Sequence, residues 1–473
     1  MIYAVTISVV VVLLVSITVY KFTQVKTQTD FMVAGRKLSW PVLVFTLLSS
    51  WIGAGSLLGG SENAYRHGFA ALWQPAGGWL GLLLIAKIAG RARHFAQFTV
   101  PDLLEARYNS TARVLATIAI VISYVVITSY QFIGGGDILH LIFPSISRDV
   151  GLWIVAGFVI FFTAMAGMAS IAYLDLLIGS AVTLTVVVAV PLLLHRAGGW
   201  SAVIERLPTS HFQVLGDYNL SGAIGLMLPT MLLLIGNQGM YQKFFSAKSE
   251  SDARKSVLGW IIGTVLLESL LITLAVVASS LLHTERPREI IALTAKQALP
   301  SLLGAILLGG VFAKVISTAN NYLFSPSTNL IHDVYQRFID KNASQLRIMI
   351  VSRVIVVLLG LFAVLQAAEF QSVLKASLYA YTIYGAAVTP SVMAVFFWRR
   401  STTAGAIASI VLGTIVTVAW QLLQQYGPLT AQSPIGGIDA VYPALASSVL
   451  SLVVVSLLTP APSPAQLAKL EAA

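Results

Sequence analysis

The chain has 473 residues, of which 57% are hydrophobic and only 10% charged, and its mean hydropathy is +0.84. So little charge cannot wet a soluble surface of this size, which points to a helical protein crossing the membrane many times; no run of short alternating segments suggests a barrel. The net charge of +10 is no nucleic-acid signal, because Lys and Arg fall in alternate loops, and the absence of cysteine excludes disulfides and thiolate metal sites.

Apolar runs predict thirteen spans at about 2–20, 39–60, 69–89, 114–140, 150–167, 171–194, 220–241, 257–282, 300–325, 346–366, 374–397, 403–424 and 441–459. Residues 1–20 lack a basic leader and a cleavage site, so they read as a retained span. The loops after odd-numbered spans hold Lys21, Lys26, Arg36 and Lys37, then Lys87, Arg91, Arg93, Arg107 and Arg113, then Lys243, Lys248, Arg254 and Lys255. Arg337, Lys341, Arg347, Arg353, Arg399, Arg400 and Lys469 continue the series. That side has 20 of the 29 basic residues, which places the N-terminus outside and the C-terminus inside. No soluble domain is expected after the last span. The organisation expected is a first span and loop (1–38), two five-helix units (39–194 and 195–398), and two final spans with a short tail (399–473).

Span 2 contains Ser49-Ser50-Trp51-Ile52-Gly53-Ala54-Gly55-Ser56-Leu57-Leu58-Gly59-Gly60, with four glycines and three serines. A membrane anchor has no need of these residues, whereas a helix that opens mid-membrane frees carbonyls for an ion or a polar solute. Span 7 has a second interruption, Ile235-Gly236-Asn237-Gln238-Gly239, after Pro229. Five spans separate the two, so they enter from opposite sides. Matching breaks in oppositely oriented halves point to a transport site, although glycines also serve close helix packing.

Span 9 places Lys314, Ser317, Thr318, Asn321 and Ser325 on one helical face. Such a stripe must face protein or a wet cavity, and its hydroxyls and carbonyls suit a small alkali cation; interhelical hydrogen bonding is the alternative.

At this point the residues resemble the sodium:solute symporter family. The resemblance covers about residues 30–400. It runs through Phe31-Met32-Val33-Ala34-Gly35-Arg36, the stretch 49–68, Thr99-Val100-Pro101-Asp102 and Arg107-Tyr108-Asn109. It continues through Tyr173-Leu174-Asp175, Gln242-Lys243, Ala247-Lys248-Ser249, and Ser317-Thr318 to Asp333-Val334-Tyr335. It implies an all-α LeuT-type fold with a five-plus-five inverted repeat, one span before and two after. It also implies a sodium site of the Ser49, Ile52 and Lys314 carbonyls with the Ser317 and Thr318 hydroxyls. Asp175 would assist sodium passage to the cytoplasm. Trp51, Ser56, Trp73, Gln74, Asn237 and Gln238 would be the solute-binding candidates. Two departures stand out: position 314 is lysine where the family usually has a small residue, and Pro75 and Gly78 replace the polar residues by which sugar-carrying relatives hold hydroxyls. A sugar is therefore not expected.

A lysine at midplane costs about 2.5–3.5 kcal/mol on insertion scales and needs an offset. Three readings stay open. Lys314 points away to a carboxylate, Glu268 or Asp175; its ammonium occupies the ion site, making transport sodium-independent or proton-linked; or it contacts an anionic solute. Glu268 is expected to pair with Lys314 or to carry protons, and Asp137, Glu62 and Arg66 are placed toward the outer mouth.

The function expected is sodium-coupled symport of a small organic solute by alternating access, with Na+ as coupling ion. The partners expected are that solute and membrane lipid, with no nucleic acid and no obligate protein partner. An enzyme is disfavoured because no zinc motif, nucleophile elbow or phosphate loop occurs, and Gly53 and Gly55 do not complete a dinucleotide fingerprint. A transporter-like sensor and a channel are the other rivals.

Overall fold

The computed structural model describes residues 2–22, 28–95, 99–370, 372–429, 433, 435–464 and 467. Lys26 and Lys469, counted in the charge bias above, lie outside these residues, as do the side chains of Lys21, Phe31, Tyr173 and Leu174. Among the described residues the chain is helical throughout, with one isolated bridge in place of any strand.

In chain order the main helices are α1 (Ile2–Phe22), α2 (Trp40–Trp51), α3 (Ser61–His67), α4 (Trp73–Phe95) and α5 (Ser110–Ile142). The helical stretch Arg148–Arg196 holds two apolar helices, α6 (Arg148–Met165) and α7 (Asp175–Arg196). There follow α8 (Leu220–Gly236), α9 (Gln238–Ser246), α10 (Glu250–Ser279), α11 (Ser301–Asn329) and α12 (Gln345–Ala367). The last four are α13 (Val373–Ala387), α14 (Thr389–Phe397), α15 (Thr403–Tyr426) and α16 (Val441–Leu458). Among the described residues ten helices are long and apolar enough to cross a membrane, or eleven if the α13–α14 pair, bent by 40°, makes one span. Ile2–Ile17 and Trp40–Trp51 are apolar but shorter. The expected count of thirteen includes these two.

The breaks have local causes. α2 starts after Ser39 with Pro41 in its first turn, where a missing N–H costs nothing. It ends at Ile52, whose backbone leaves the helical region (φ −87°, ψ 89°). A wide π-type turn over Gly55–Gly60 then leads into α3. Gly55 is needed there, because a Cβ would come within 2.7 Å of the Tyr381 hydroxyl. α8 ends at Asn237 (φ −57°, ψ 111°), which also caps α9 by accepting the Met240 amide at 3.3 Å.

The two broken helices run in opposite directions. Leu38, just before α2, pairs its backbone with Ser246 and Lys248 at the end of α9 (3.1 and 2.8 Å). The start of one therefore meets the end of the other, which is the inverted relation that the matching breaks required. Lys243 departs from expectation: placed in a loop by charge counting, it lies within α9 and is fully buried.

α11 is the central helix, packed against α5, α6–α7 and α2. Small residues let it sit close. A Cβ at Gly309 would come within 2.8 Å of Thr6, and one at Gly310 within 2.7 Å of Val182. Outward faces carry large apolar side chains such as Leu177, Leu184, Leu358, Phe362 and Leu365, as lipid contact requires.

Candidate functional site

The first break is brought against α11. The Thr318 hydroxyl donates to the Ser49 carbonyl at 3.0 Å, and Gly53 lies so close that a Cβ would be 2.5 Å from Thr318 Cγ2. The break is otherwise largely satisfied: the Ala54 amide donates to Gln131 Oε1 at 2.8 Å, and the Leu57 amide to the Gly53 carbonyl at 2.8 Å. The buried hydroxyls of Ser49 and Ser50 have no partner. The Thr318 hydroxyl and the Ser49 carbonyl thus meet where the chain opens, hard oxygens of the kind that suit an alkali cation. Gln131 escaped the sequence reading; a lone glutamine inside a long apolar span was its only signal.

Asp175 closes the side of this region. It is fully buried and accepts the Thr46 hydroxyl at 2.6 Å and the Ser317 hydroxyl. Its charge acts on two buried lysines, Lys243 and Lys314. Lys243 Nζ donates to Asn321 Oδ1 at 2.8 Å, and Asn321 Nδ2 donates to the Ser317 carbonyl at 3.0 Å. Lys314 Nζ makes no hydrogen bond. It lies beside Phe45 and Gly179, and a Cβ on that glycine would be 3.9 Å from it. Gly179 is one turn beyond Asp175 on α7. The polar stripe on α11 therefore splits its tasks: Ser317 faces Asp175, Thr318 faces Ser49, Asn321 faces Lys243, and the Ser325 hydroxyl is buried without a partner.

Glu268 is not brought to Lys314, and this corrects the pairing expected between them. Its Oε1 accepts the Trp51 indole N–H at 3.0 Å and the Ser56 hydroxyl at 3.2 Å, and its Oε2 accepts the Trp79 indole N–H at 2.9 Å. Glu268, Trp51 and Ser56 line a cavity together with Gln74, Pro75, Thr230 and Tyr381, while Trp79 holds Glu268 from outside its lining. The Trp51 and Tyr381 rings stack at 6.4 Å between centroids. Gly78 makes room for Trp51, whose Cζ2 would be 3.0 Å from a Cβ there. Of the two positions where polar residues are replaced, Pro75 lines the cavity and Gly78 seats the Trp51 indole.

Of the solute candidates, Trp51, Ser56 and Gln74 share this cavity. Trp73 does not; its indole donates to the Val214 carbonyl at 2.9 Å in an exposed setting. The α4 indole that reaches Glu268 belongs to Trp79. Its signal was the helical repeat that sets Pro75 and Trp79 on one face beside Gln74 and Gly78.

Asn237 and Gln238 also lie away from the cavity, in a tyrosine layer. Asn237 Oδ1 accepts the Tyr124 hydroxyl at 2.8 Å, and its Nδ2 donates to the Tyr322 hydroxyl at 3.1 Å. The Tyr384 hydroxyl donates to the Gly236 carbonyl at 2.6 Å and accepts the Gln238 amide at 3.0 Å. Gln238 Oε1 accepts the Val100 amide. The second break is thus stitched by tyrosines from α5, α11 and α13.

Two ion networks flank the core. Glu62, Arg66 and Asp137 line a wide opening, where Asp137 pairs with Arg148 at 3.1 Å and Arg288 at 2.8 Å. Elsewhere Arg113 is buried among Asp102, Glu105 and Asp333, tying α5 to the short Val100–Arg107 helix and to the segment after α11.

The model of the sodium:solute symporter family matches residues 31–413. The high-affinity proline transporter PutP of Bacillus subtilis (strain 168) is 25% identical over 94% of this chain and 96% of its own length. The sodium/proline symporter of Escherichia coli (strain K12) is 26% identical over 93% and 90%. A solved Na+-coupled sialic acid symporter, substrate-bound and outward-open, aligns with a TM-score of 0.82 at 15% identity over 98% of this chain and 99% of its own. Mhp1, a nucleobase-cation-symport-1 family transporter, aligns with a TM-score of 0.59 at 13% identity over 93% and 98%. These likenesses give the LeuT-type fold, and the family is one of transporters rather than enzymes. A match over most of the length, joined to the inverted breaks and the multi-pass architecture, means that this chain belongs to the sodium:solute symporter family.

Proposed function

We propose that Na+ binds where α2 opens against α11, held by the Ser49, Ile52 and Lys314 carbonyls and the Ser317 and Thr318 hydroxyls. The solute binds in the cavity walled by Trp51, Ser56, Gln74 and Glu268. The observation that carries this reading is the 3.0 Å bond from Thr318 to the Ser49 carbonyl, which joins two of the five oxygens across the break. Ion binding there ties α2 to α11, and the aromatic pair Trp51–Tyr381 ties α2 to α13 at the solute. Occupancy of both sites stabilises a closed state, which then opens inward through the tyrosine layer around Asn237. Asp175, already bonded to Ser317, receives the ion on its way out. The N-terminus lies outside, so a membrane potential worth about 2.3 kcal/mol per charge per 100 mV drives the cation inward. Proline transport by the relatives makes L-proline the first solute to test.

The test is uptake of labelled L-proline into proteoliposomes under an imposed sodium gradient. Accumulation should follow the gradient and lose its sodium dependence in the Ser317→Ala, Thr318→Ala double variant. Full sodium-driven uptake by that variant refutes the site assignment.

A second reading has one observation behind it. Lys314 Nζ is buried without a hydrogen-bond partner, so its charge can substitute for the ion. Wild-type uptake would then be indifferent to sodium. Contact of Lys314 with an anionic solute has no such support, because Lys314 does not line the cavity.

A further inference from the structure

We infer that the transported solute carries a cationic nitrogen with N–H donors, and that Glu268 and Gln74 receive it beside the Trp51 and Tyr381 rings. This rests on the assignment of the cavity to the solute, and it names the chemistry the cavity selects.

Glu268 stands on a membrane-embedded helix, is 4% exposed and lines the cavity. Carboxylates in such places are costly and call for a partner. Among the described residues Glu268 forms no ion pair, and no Lys, Arg or His lines the cavity. Its three partners are two indole N–H groups and a hydroxyl. Indoles only donate, so both carboxylate oxygens are held as acceptors. These donors fix the carboxylate in place but carry no charge to cancel its own. An ionised carboxylate offers about four acceptor positions, and three are filled, so one is left for a ligand.

Gln74 makes the same demand independently. It is 5% exposed, lines the cavity, and its Oε1 is buried without a hydrogen-bond partner. Two acceptors therefore wait in one cavity for donors that the protein does not supply. A protonated amine with two N–H bonds answers both, and adds the charge that Glu268 lacks.

The aromatic walls agree. Trp51 and Tyr381 present stacked rings beside the carboxylate, and ring faces attract cations once water is excluded. Trp51 has both tasks, its N–H orienting Glu268 and its ring facing the cavity. Among the described residues no cationic side chain in the lining neutralises a solute carboxylate, so an acidic group on the solute is tolerated rather than selected.

The experiment uses purified full-length protein in sodium and follows the quenching of tryptophan fluorescence as ligands are titrated in. The probes are L-proline, pyrrolidine (ammonium without carboxylate), tetrahydro-2-furoate (carboxylate with oxygen in place of the ammonium) and D-glucose. Wild type should bind L-proline and pyrrolidine at least tenfold more tightly than tetrahydro-2-furoate. Glu268→Gln, which keeps the size and removes the charge, should erase that preference, with Gln74→Leu weakening the two amines severalfold. A sodium-specific thermal shift checks that each variant is folded. Tetrahydro-2-furoate or glucose binding as well as the amines, or an unchanged preference in Glu268→Gln, overturns the proposal and leaves the transport reading standing, provided the bound solute is taken up with sodium. If none of the four is bound or taken up, both readings fall.

Discussion

Replacing Lys314 with methionine removes a fully buried ammonium that makes no hydrogen bond, while keeping an unbranched side chain in its place. The amine lies beside Gly179, one turn from Asp175, and Asp175 is bonded to Ser317 at the proposed ion site. Gly179 and Asp175 are one turn, about 5.4 Å, apart, which puts the ammonium on the order of 7 Å from an ion held beyond Asp175 at Ser317 and Thr318. Two unit charges at that distance repel by about 2–3 kcal/mol at an effective dielectric of ~20. Unopposed, this is a loss of roughly 30- to 100-fold in sodium affinity. Asp175 screens both cations, so the gain on substitution is expected to be nearer tenfold than a hundredfold, on the order of 1.4 kcal/mol. The assay is the sodium concentration that half-saturates uptake in proteoliposomes. It should fall about tenfold in Lys314→Met, and thermal unfolding should move upward, because a buried ammonium with no hydrogen bond has gone. An unchanged half-saturation value refutes the claim that this ammonium is electrostatically linked to the ion. Wild-type uptake indifferent to sodium, becoming sodium-dependent in the variant, would instead establish Lys314 as the ion's substitute.

Two further outcomes are expected. In Gly53→Ala the new methyl would lie 2.5 Å from Thr318 Cγ2 and 2.7 Å from its Oγ1, so Thr318 must leave the Ser49 carbonyl. Sodium half-saturation should rise about tenfold, the worth of roughly one hydrogen bond, while the protein remains folded; normal sodium dependence would show that Thr318 is no ligand. Arg113→Ala leaves Asp102, Glu105 and Asp333 without their shared cation, a loss of about 3–5 kcal/mol for a buried pair broken on one side. Thermal unfolding in detergent should register it, and a midpoint equal to wild type would mean that the network contributes nothing to the fold.

The fold was readable because it is written in patterns that do not depend on tertiary detail. Apolar runs located the spans, and the glycines at 53–60 and 236–239 located the breaks. The polar stripe marked Thr318 as facing protein or a wet cavity, and the family resemblance implied that it meets the first break. What escaped was set by helix rotation and by partners distant in sequence. Lys243 looked like a loop charge because hydropathy ends a span before a buried lysine; its bond to Asn321, 78 positions away, helps hold it inside. Glu268 and Lys314 looked like a pair because both are mid-span, yet two indoles and a serine claim the first, and the second lies beside Gly179. Trp73 was chosen over Trp79 because a tryptophan near a span's end and one a turn and a half further in differ in sequence only by phase. Asn237 and Gln238 were polar for the expected reason, a broken helix, but Tyr124 and Tyr322 occupy the Asn237 side chain and the Val100 amide takes Gln238 Oε1, and no local signal announces that.

The central claim is that sodium is held between the opened α2 and the hydroxyls of α11. Thermal unfolding of purified protein in sodium against potassium, for wild type and for the Ser317→Ala, Thr318→Ala variant, tests it without requiring the solute. Wild type should be stabilised by sodium over potassium with a saturable dependence, and the variant should unfold at the same temperature in both. A variant that keeps the full sodium-specific stabilisation would place the ion elsewhere and contradict the account.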